Sequence, residues 1–170
     1  MRAMKRIALA TVAAGLAAGA FTATAGPAIA ATQAEGFKAS VQSYRDDTNL
    51  DEYYGRERGA QVLTRDAREY YQNFKFERVG STPGTYTIKG ERFGLCLTAQ
   101  GLDRPIVQQA CDSGKLSQRW QVDTVNQPSV IKSIKYTNQV IQANGLDRAV
   151  TLEHVQAGKT NQLWTLYTKD

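Results

Sequence analysis

The chain has 170 residues, of which 22% are charged and 42% are hydrophobic, and this length is typical of a single domain. Its formal net charge is +5, but three of its cations (Arg2, Lys5 and Arg6) lie at the N-terminus, so that residues 31–170 carry 18 basic against 16 acidic side chains. These charges are interspersed and form no basic block along the chain, which argues against a nucleic-acid partner.

Residues 1–30 have the parts of a secretory signal peptide. A basic start precedes an uncharged Ala/Gly/Leu-rich run, and Ala28 and Ala30 supply the small residues of a cleavage site. The run is long enough for a membrane anchor, but Pro27 near its end and the lack of a basic stop-transfer cluster favour cleavage. We therefore expect a soluble, secreted, extracellular protein with no membrane association after cleavage, beginning with a short polar leader over residues 31–37.

Short apolar stretches alternate with turn residues from Phe37 onward, and no helical period persists. Three times the chain shows an opening strand, a turn with glycine, a second strand, and a terminal strand with two large apolar residues on one face. The opening strands are expected at 37–41, 86–88 and 130–134; the turns at 54–55, 100–101 and 144–145; the second strands at 60–62, 106–108 and 150–152. The apolar pairs are Phe74 and Phe76, Trp120 and Val122, and Trp164 and Leu166.

Each unit contains a Gln-x-aromatic tripeptide, and these tripeptides are spaced by 46 and then 44 residues. The same offsets superpose residues 55–58, 101–104 and 145–148, which begin with glycine and end in an acid followed by arginine. Repeats of this length are supersecondary units that bury a common core. Three strand-rich units have to close on themselves, because an open sheet leaves unpaired edges. We place one domain at 38–170, with repeats at about 38–82, 83–127 and 128–170.

Two positions depart from this pattern. Gln108 places an amide where the other units have Val62 and Leu152. The charged segment at 65–71 could form a helical turn, so an α+β domain with a helix from Thr64 to Tyr71 is the alternative fold.

The two cysteines, Cys96 and Cys111, lie 15 residues apart in the middle repeat. An even pair in an exported protein predicts a disulfide, which would stabilise the fold by about 3 kcal/mol. Two free thiols are the alternative. A metal site is disfavoured because the chain has one histidine and no second cysteine pair, and we expect no cofactor.

At this point the residues resemble the ricin B-chain-type lectin family, whose members carry Q-x-W in each of three repeats. Gln118-Arg119-Trp120 and Gln162-Leu163-Trp164 match this signature, and Gln72-Asn73-Phe74 is its Phe variant. The two cysteines look like the family's disulfide frame within one repeat. The resemblance covers about residues 38–170 and implies an all-β β-trefoil, a pseudo-threefold six-stranded barrel with three capping hairpins. Phe74, Trp120 and Trp164 would form one layer of its core.

The resemblance also implies a sugar-binding chemistry, in which a carboxylate, a stacking aromatic and amides hold one sugar ring. Counted from the first cysteine position, the acid maps to Glu52, Thr98 or Gln142, so only the first unit has an acid there. The stacking position maps to Leu63, Gln109 or Glu153 and is aromatic in no unit, and the Asn before the signature Gln maps to Tyr71, Ser117 or Asn161. The predicted carbohydrate-binding residues are Glu52, Gln61, Tyr71 and Gln72 in the first unit and Gln142, Asn161 and Gln162 in the third.

Each of these residues also has a purely structural interpretation. The signature glutamines can brace loop backbone, the tryptophans can be core residues, and the acid–Arg pairs can be solvated turn residues. The tyrosines of the first unit can be loop packing or a binding surface; they are Tyr53, Tyr54, Tyr70 and Tyr71.

An enzyme is disfavoured, because His154 is the only histidine and no nucleophile, zinc or phosphate-loop motif occurs. Asp46 and Glu52 could be imagined as the two carboxylates of a glycosidase, but no motif or spacing links them. The sequence therefore predicts a secreted, non-catalytic carbohydrate-binding module whose partner is a glycan. The alternative is a β-trefoil module that binds an extracellular protein, such as a protease inhibitor.

Export gives the first testable prediction. We expect the mature chain to begin at Ala31 or within a few residues of it, because the cleavage pattern ends at Ala30. Mass spectrometry of the cell-free medium measures this directly. Intact residues 1–30 in a membrane fraction would contradict it.

Overall fold

The computed structural model describes residues 36–52, 58–67 and 70–169 of the chain. Within these ranges the chain forms twelve β-strands and no α-helix, and two short 3-10 turns precede β8 and β12 at Leu116–Gln118 and Thr160–Gln162. The strands are β1 (Phe37–Ser43), β2 (Asn49–Asp51), β3 (Leu63–Arg65), β4 (Asn73–Arg78), β5 (Thr85–Gly90), β6 (Cys96–Thr98), β7 (Val107–Gln109), β8 (Arg119–Val122), β9 (Ile131–Ser133), β10 (Gln139–Gln142), β11 (Thr151–His154) and β12 (Trp164–Lys169).

Six of the strands close into an antiparallel barrel. β12 pairs with β1, β1 with β4, β4 with β5, β5 with β8, and β8 with β9. Ser129, just before β9, and Trp164 of β12 exchange backbone hydrogen bonds of 3.0 and 2.8 Å and so complete the circle. Closure leaves the barrel without a free sheet edge.

The remaining strands form three hairpins that cap one end of the barrel: β2–β3, β6–β7 and β10–β11. They meet in a ring of backbone hydrogen bonds through Val62, Ile106 and Val150. The Val62 N–H donates to the Ile106 carbonyl, Ile106 to Val150, and Val150 back to Val62, at 3.0, 2.9 and 3.0 Å. Because equivalent bonds run in a cycle through the three repeats, the ring lies on the pseudo-threefold axis, and all three side chains are fully buried.

The core fills the barrel with side chains from every repeat. Phe74, Trp120 and Trp164 are each 0% exposed. The indole N–H groups of the two tryptophans donate to the carbonyls of Leu97 and Ile141, at 3.1 and 2.9 Å. Each signature aromatic thus belongs to the core, and the tryptophans also fasten their hairpin to the barrel.

The all-β β-trefoil prediction is confirmed, whereas the strand positions need correction. Each repeat has four strands rather than three, because β2, β6 and β10 were not recognised. The second strand of the first repeat was expected at 60–62 but begins at Leu63. Thr64 and Arg65 lie in this strand, where the alternative fold placed the start of a helix.

The repeats are also not of constant length internally. Eight positions separate Asp51 from Gly59, but five separate each equivalent pair, Thr98 to Asp103 and Gln142 to Asp147. Eight then separate Thr64 from Gln72, but ten separate Gln108 from Gln118 and Leu152 from Gln162. In the first repeat the longer segment before Gly59 and the shorter segment after Thr64 nearly cancel. The spacing of the Gln-x-aromatic tripeptides therefore reveals neither difference in length.

Several predictions from the sequence lie outside the described residues. These are the signal peptide and leader up to residue 35, the turn at 54–55, most of the block at 55–58, and Tyr53 and Tyr54. In the described part of the chain, no helix has the length and apolar character needed to cross a bilayer.

The barrel core gives a stability prediction. Trp120→Ala should lower the free energy of unfolding by about 3–5 kcal/mol, because it opens a large cavity. Trp120→Phe should cost about 1–3 kcal/mol, chiefly through the unpaired Leu97 carbonyl, since Phe74 fills the equivalent place in the first repeat. Urea denaturation followed by circular dichroism measures both values, with the exposed Tyr167→Phe as control. Equal losses for both Trp120 variants would contradict this account.

Candidate functional site

The three signature glutamines occupy equivalent places and make equivalent bonds. The side-chain amide of each donates to the last residue of the first hairpin strand: Gln72 to Asp51 Oδ2 (3.0 Å), Gln118 to Thr98 Oγ1 (3.0 Å) and Gln162 to Gln142 Oε1 (3.2 Å). Each also donates to a backbone carbonyl at or just after the end of the second hairpin strand, of Asp66, Ala110 and His154, 2.7–2.9 Å away. The glutamines therefore brace the hairpin against the loop that precedes the terminal strand.

These bonds move the acid position of the first repeat by one residue. Asp51, and not Glu52, is the partner of the signature Gln and pairs with Leu63 as Thr98 pairs with Val107. The first repeat thus carries an aspartate at this position, where the second and third carry Thr98 and Gln142. The stacking position moves the other way, by two residues, from Leu63 to Arg65, because Gln109 and Glu153 lie two residues after the partners of Thr98 and Gln142. Arg65 lies 3.4 Å from the Asp147 carboxylate.

Asp51 sits in a compact polar group at the end of β2. Gln72 Oε1 accepts a 3.1 Å bond from the Asn49 amide, while Gln72 Nε2 holds Asp51. Asp51 is 1% exposed and Gln72 is 3% exposed. This network fixes the orientation of the Asp51 carboxylate.

Glu52 has a different role from the one expected. Its backbone N–H donates to the Tyr71 carbonyl (2.9 Å). In the other repeats Ala99 and Ala143 make the equivalent bonds, to the carbonyls of Ser117 and Asn161. The Glu52 side chain is 0% exposed, and Oε1 accepts a 2.7 Å bond from the Arg92 N–H in the loop after β5. Oε2 has no hydrogen-bond partner among the residues that the structure describes. Glu52 therefore joins the first repeat to the second from inside the molecule.

Gly90 makes room for this carboxylate. A Cβ at position 90 would overlap the Glu52 carboxyl carbon and Oε2. Burial raises the pKa of Glu52 from its usual 4.5 to about 7, and the charges of Asp51 and Glu91 add to this, while the N–H groups of Arg92 and Phe93 oppose it. The group is therefore poised between a neutral and a charged form near neutral pH.

Tyr70 and Tyr71 of the first repeat form an aromatic surface with the loop after β5. Tyr71 is half-buried and stacks on Phe93 (5.8 Å between centroids), and Tyr70 packs edge-on against Tyr71 (5.6 Å). Tyr70 is 64% exposed, and the Arg92 guanidinium lies 4.6 Å from its ring centroid. We call Tyr70, Tyr71, Phe93 and Arg92 the aromatic cluster. Tyr71 packs, whereas Tyr70 presents a face to solvent.

The predicted residues of the third repeat also lie together. Gln162 contacts Gln142, and the Asn161 amide donates to the Ala143 carbonyl at 3.0 Å. Gln142 Nε2 in turn donates to Asn144 Oδ1 at 3.1 Å. The amides of this repeat thus bond to one another and to nearby backbone, and Gln142 rather than a carboxylate stands at the position of Asp51.

Gln61 stands apart from both groups. It is exposed and pairs across an isolated bridge with Val107 of the second repeat. In the second repeat the Cys96–Cys111 disulfide is formed, as predicted. Among the described residues, no three His, Cys, Asp or Glu side chains converge as metal ligands.

Comparison with known proteins places this geometry in context. The profile of the ricin-type beta-trefoil lectin domain matches residues 38–164. No curated protein sequence matches the chain.

Solved structures share the fold at low sequence identity. The designed three-fold symmetric protein ThreeFoil superposes with a TM-score of 0.65 at 17% identity, over 76% of this chain and 97% of its own. The C-half of the earthworm R-type lectin, solved with GalNAc, gives 0.59 at 15% identity, over 78% and 99%. The Polyporus squamosus lectin, solved with a sialylated trisaccharide, gives 0.62 at 20% identity, over 78% and 49%.

The buried Glu52 gives a pH prediction. Its carboxyl binds a proton more tightly in the folded than in the unfolded chain, so its contribution favours folding at acid pH and is lost as pH rises from 4.5 through 7. Above neutral pH the whole contribution of Glu52, about 3 kcal/mol in the free energy of unfolding, is lost. Glu52→Gln removes this titration. Its free energy of unfolding relative to that of the wild type should therefore rise between pH 5 and pH 8.

The measurement is urea unfolding of both proteins at several pH values. Comparing variants at each pH cancels the titration of all other groups. Glu153→Gln, at a partly exposed acid, is the matched control and should show no such growth. A constant difference between Glu52→Gln and the wild type would contradict a raised pKa.

Proposed function

Because the chain belongs to the ricin-type β-trefoil lectin domain family, we propose that it binds carbohydrate through its first repeat, with Asp51 as the acceptor of sugar hydroxyls. The observation that carries the proposal is the Asp51–Gln72 bond of 3.0 Å. It places a carboxylate where the other two repeats have a hydroxyl and an amide. An ionised acceptor forms the stronger hydrogen bonds with hydroxyl donors.

The surroundings of Asp51 support this assignment. Gln72 holds the carboxylate and is itself held by Asn49, so that the carboxylate loses little conformational entropy when a ligand binds. The exposed ring of Tyr70, two residues before Gln72 in the chain, offers a flat face for the C–H side of a sugar. Asp51 is almost completely buried, so a sugar has to displace the groups that cover it. We therefore expect weak binding at a single site.

We also propose that the module acts outside the cell and does not transform its ligand. Export is supported by the signal-peptide pattern of residues 1–30. Of the two carboxylates considered for hydrolysis, Asp46 accepts bonds from Thr48 within a turn, and Glu52 faces the Arg92 backbone. Both therefore have structural roles in the fold.

The test is a titration with galactose and N-acetylgalactosamine, the second being the sugar in the earthworm lectin structure. We expect a dissociation constant of about 1 mM for the wild type, which corresponds to roughly 4 kcal/mol. Asp51→Asn should weaken binding by about tenfold or more, because it removes a charged acceptor. Calorimetry or NMR chemical-shift titration measures this range.

Glu52→Gln is the matched control, one residue away and also an acid-to-amide change. It should keep the wild-type affinity, since its carboxylate faces the loop after β5. Loss of binding in Glu52→Gln with retention in Asp51→Asn would reverse the assignment. Failure to bind any glycan would favour the protein-binding module considered from the sequence.

A further inference from the structure

Four lysines lie opposite one another on the outer face of the barrel. Strand register pairs Lys169 of β12 with Lys38 of β1, Lys38 with Lys75 of β4, and Lys75 with Lys89 of β5. Adjacent strands lie about 4.8 Å apart, so the row crosses about 14 Å of sheet. We call these residues the lysine row. The sequence showed no basic block because one residue comes from each of four strands.

Such a row is unfavourable without counterions, since like charges directly opposite each other on a sheet repel. Only part of the charge is neutralised within the protein. Lys38 pairs with Glu91 at 2.8 Å and Lys75 with Glu77 at 3.1 Å, and all four partners are partly exposed. Exposed ion pairs contribute little stability, so an anionic ligand can replace them at low cost.

The other two lysines have no acidic partner among the described residues. Lys169 donates to the side-chain oxygen of Asn73 at 2.6 Å, and Lys89 is half-buried beside Gly94 with no ion pair. Lys75 and Lys89 also line an open depression of about 440 Å³ together with Arg92. Four lysines and an arginine therefore face two acids along this surface.

The lysine row continues into the first-repeat site. Asn73, which Lys169 contacts, directly follows Gln72, and its carbonyl accepts the Glu91 N–H at 2.9 Å. Arg92, which follows Glu91 in the chain, lines the depression and also belongs to the aromatic cluster. A single extended ligand can therefore contact the lysine row and the exposed face of Tyr70.

We propose that the lysine row binds a linear acidic polysaccharide whose sugars carry carboxylates, as in a polyuronate. This inference rests on the proposed function, because the row extends the carbohydrate site of the first repeat. The regular spacing of single positive charges fits a polymer with one carboxylate per sugar. The adjoining aromatic ring fits the apolar face of a sugar better than a phosphate backbone.

The experiment compares polygalacturonate with its fully methyl-esterified form, which has the same backbone without the charges. Calorimetric titration of the full protein should show binding of the free acid and little binding of the ester. Four lysine contacts should make the affinity fall about 50-fold between about 50 and 200 mM salt, if counterions are released as from single-stranded nucleic acid. The fourfold Lys→Gln variant at 38, 75, 89 and 169 should lose the salt-dependent binding.

The matched control removes the same charge elsewhere, with Gln replacing the exposed Arg104, Lys115, Lys135 and Arg148. It should bind polygalacturonate like the wild type, and thermal unfolding checks that both fourfold variants are folded. Equal binding by the two variants would overturn the inference. Tighter binding to a 20-base-pair DNA duplex than to polygalacturonate would also overturn it and would identify nucleic acid as the partner.

The outcome is separable from that of the proposed function. If no neutral sugar binds but only the lysine-row variant loses polygalacturonate, the carbohydrate site at Asp51 is refuted and the row is supported. If Asp51→Asn loses galactose but the lysine-row variant binds polygalacturonate like the control, the row is refuted and the Asp51 site is supported.

Discussion

The ring of backbone hydrogen bonds through Val62, Ile106 and Val150 is the constraint on which the rest of the fold depends. Each repeat donates one N–H to the next and accepts one from the last, so the ring is complete only with three repeats. The residues are fully buried, and a missing repeat would leave a donor and an acceptor unpaired away from water. This closed ring sets the register of every hairpin and so the position of every residue at the hairpin bases.

Scaffold and ligand chemistry are separable in this domain. The signature glutamines make the same two donations in all three repeats, although only one repeat places a carboxylate at the end of the first hairpin strand. The second and third repeats therefore keep the same glutamine bonds, with Thr98 and Gln142 as the acceptors. The glutamine bonds that hold the hairpins recur in all three repeats, whereas the carboxylate at this position is particular to the first.

The sequence predicted the features that recur and missed those that depend on strand pairing. The threefold symmetry and the buried aromatics were readable because each recurs at a nearly constant spacing. The acid position was misplaced by one residue because the first repeat is longer before Gly59 and shorter after Thr64. Alignment on Val62, Ile106 and Val150, which are equally spaced, would have shown this. The lysine row was invisible because Lys38 and Lys169 come together only when the barrel closes.

The contact between Glu52 and Gly90 has a consequence for how this sequence can change. A side chain at position 90 occupies the volume of the Glu52 carboxylate, whereas a shorter residue at position 52 vacates it. The two positions are therefore coupled, because a smaller residue at position 52 frees the volume that a Cβ at position 90 would need. Because the two residues belong to different repeats, a substitution in the first repeat changes which side chains the second repeat has room for.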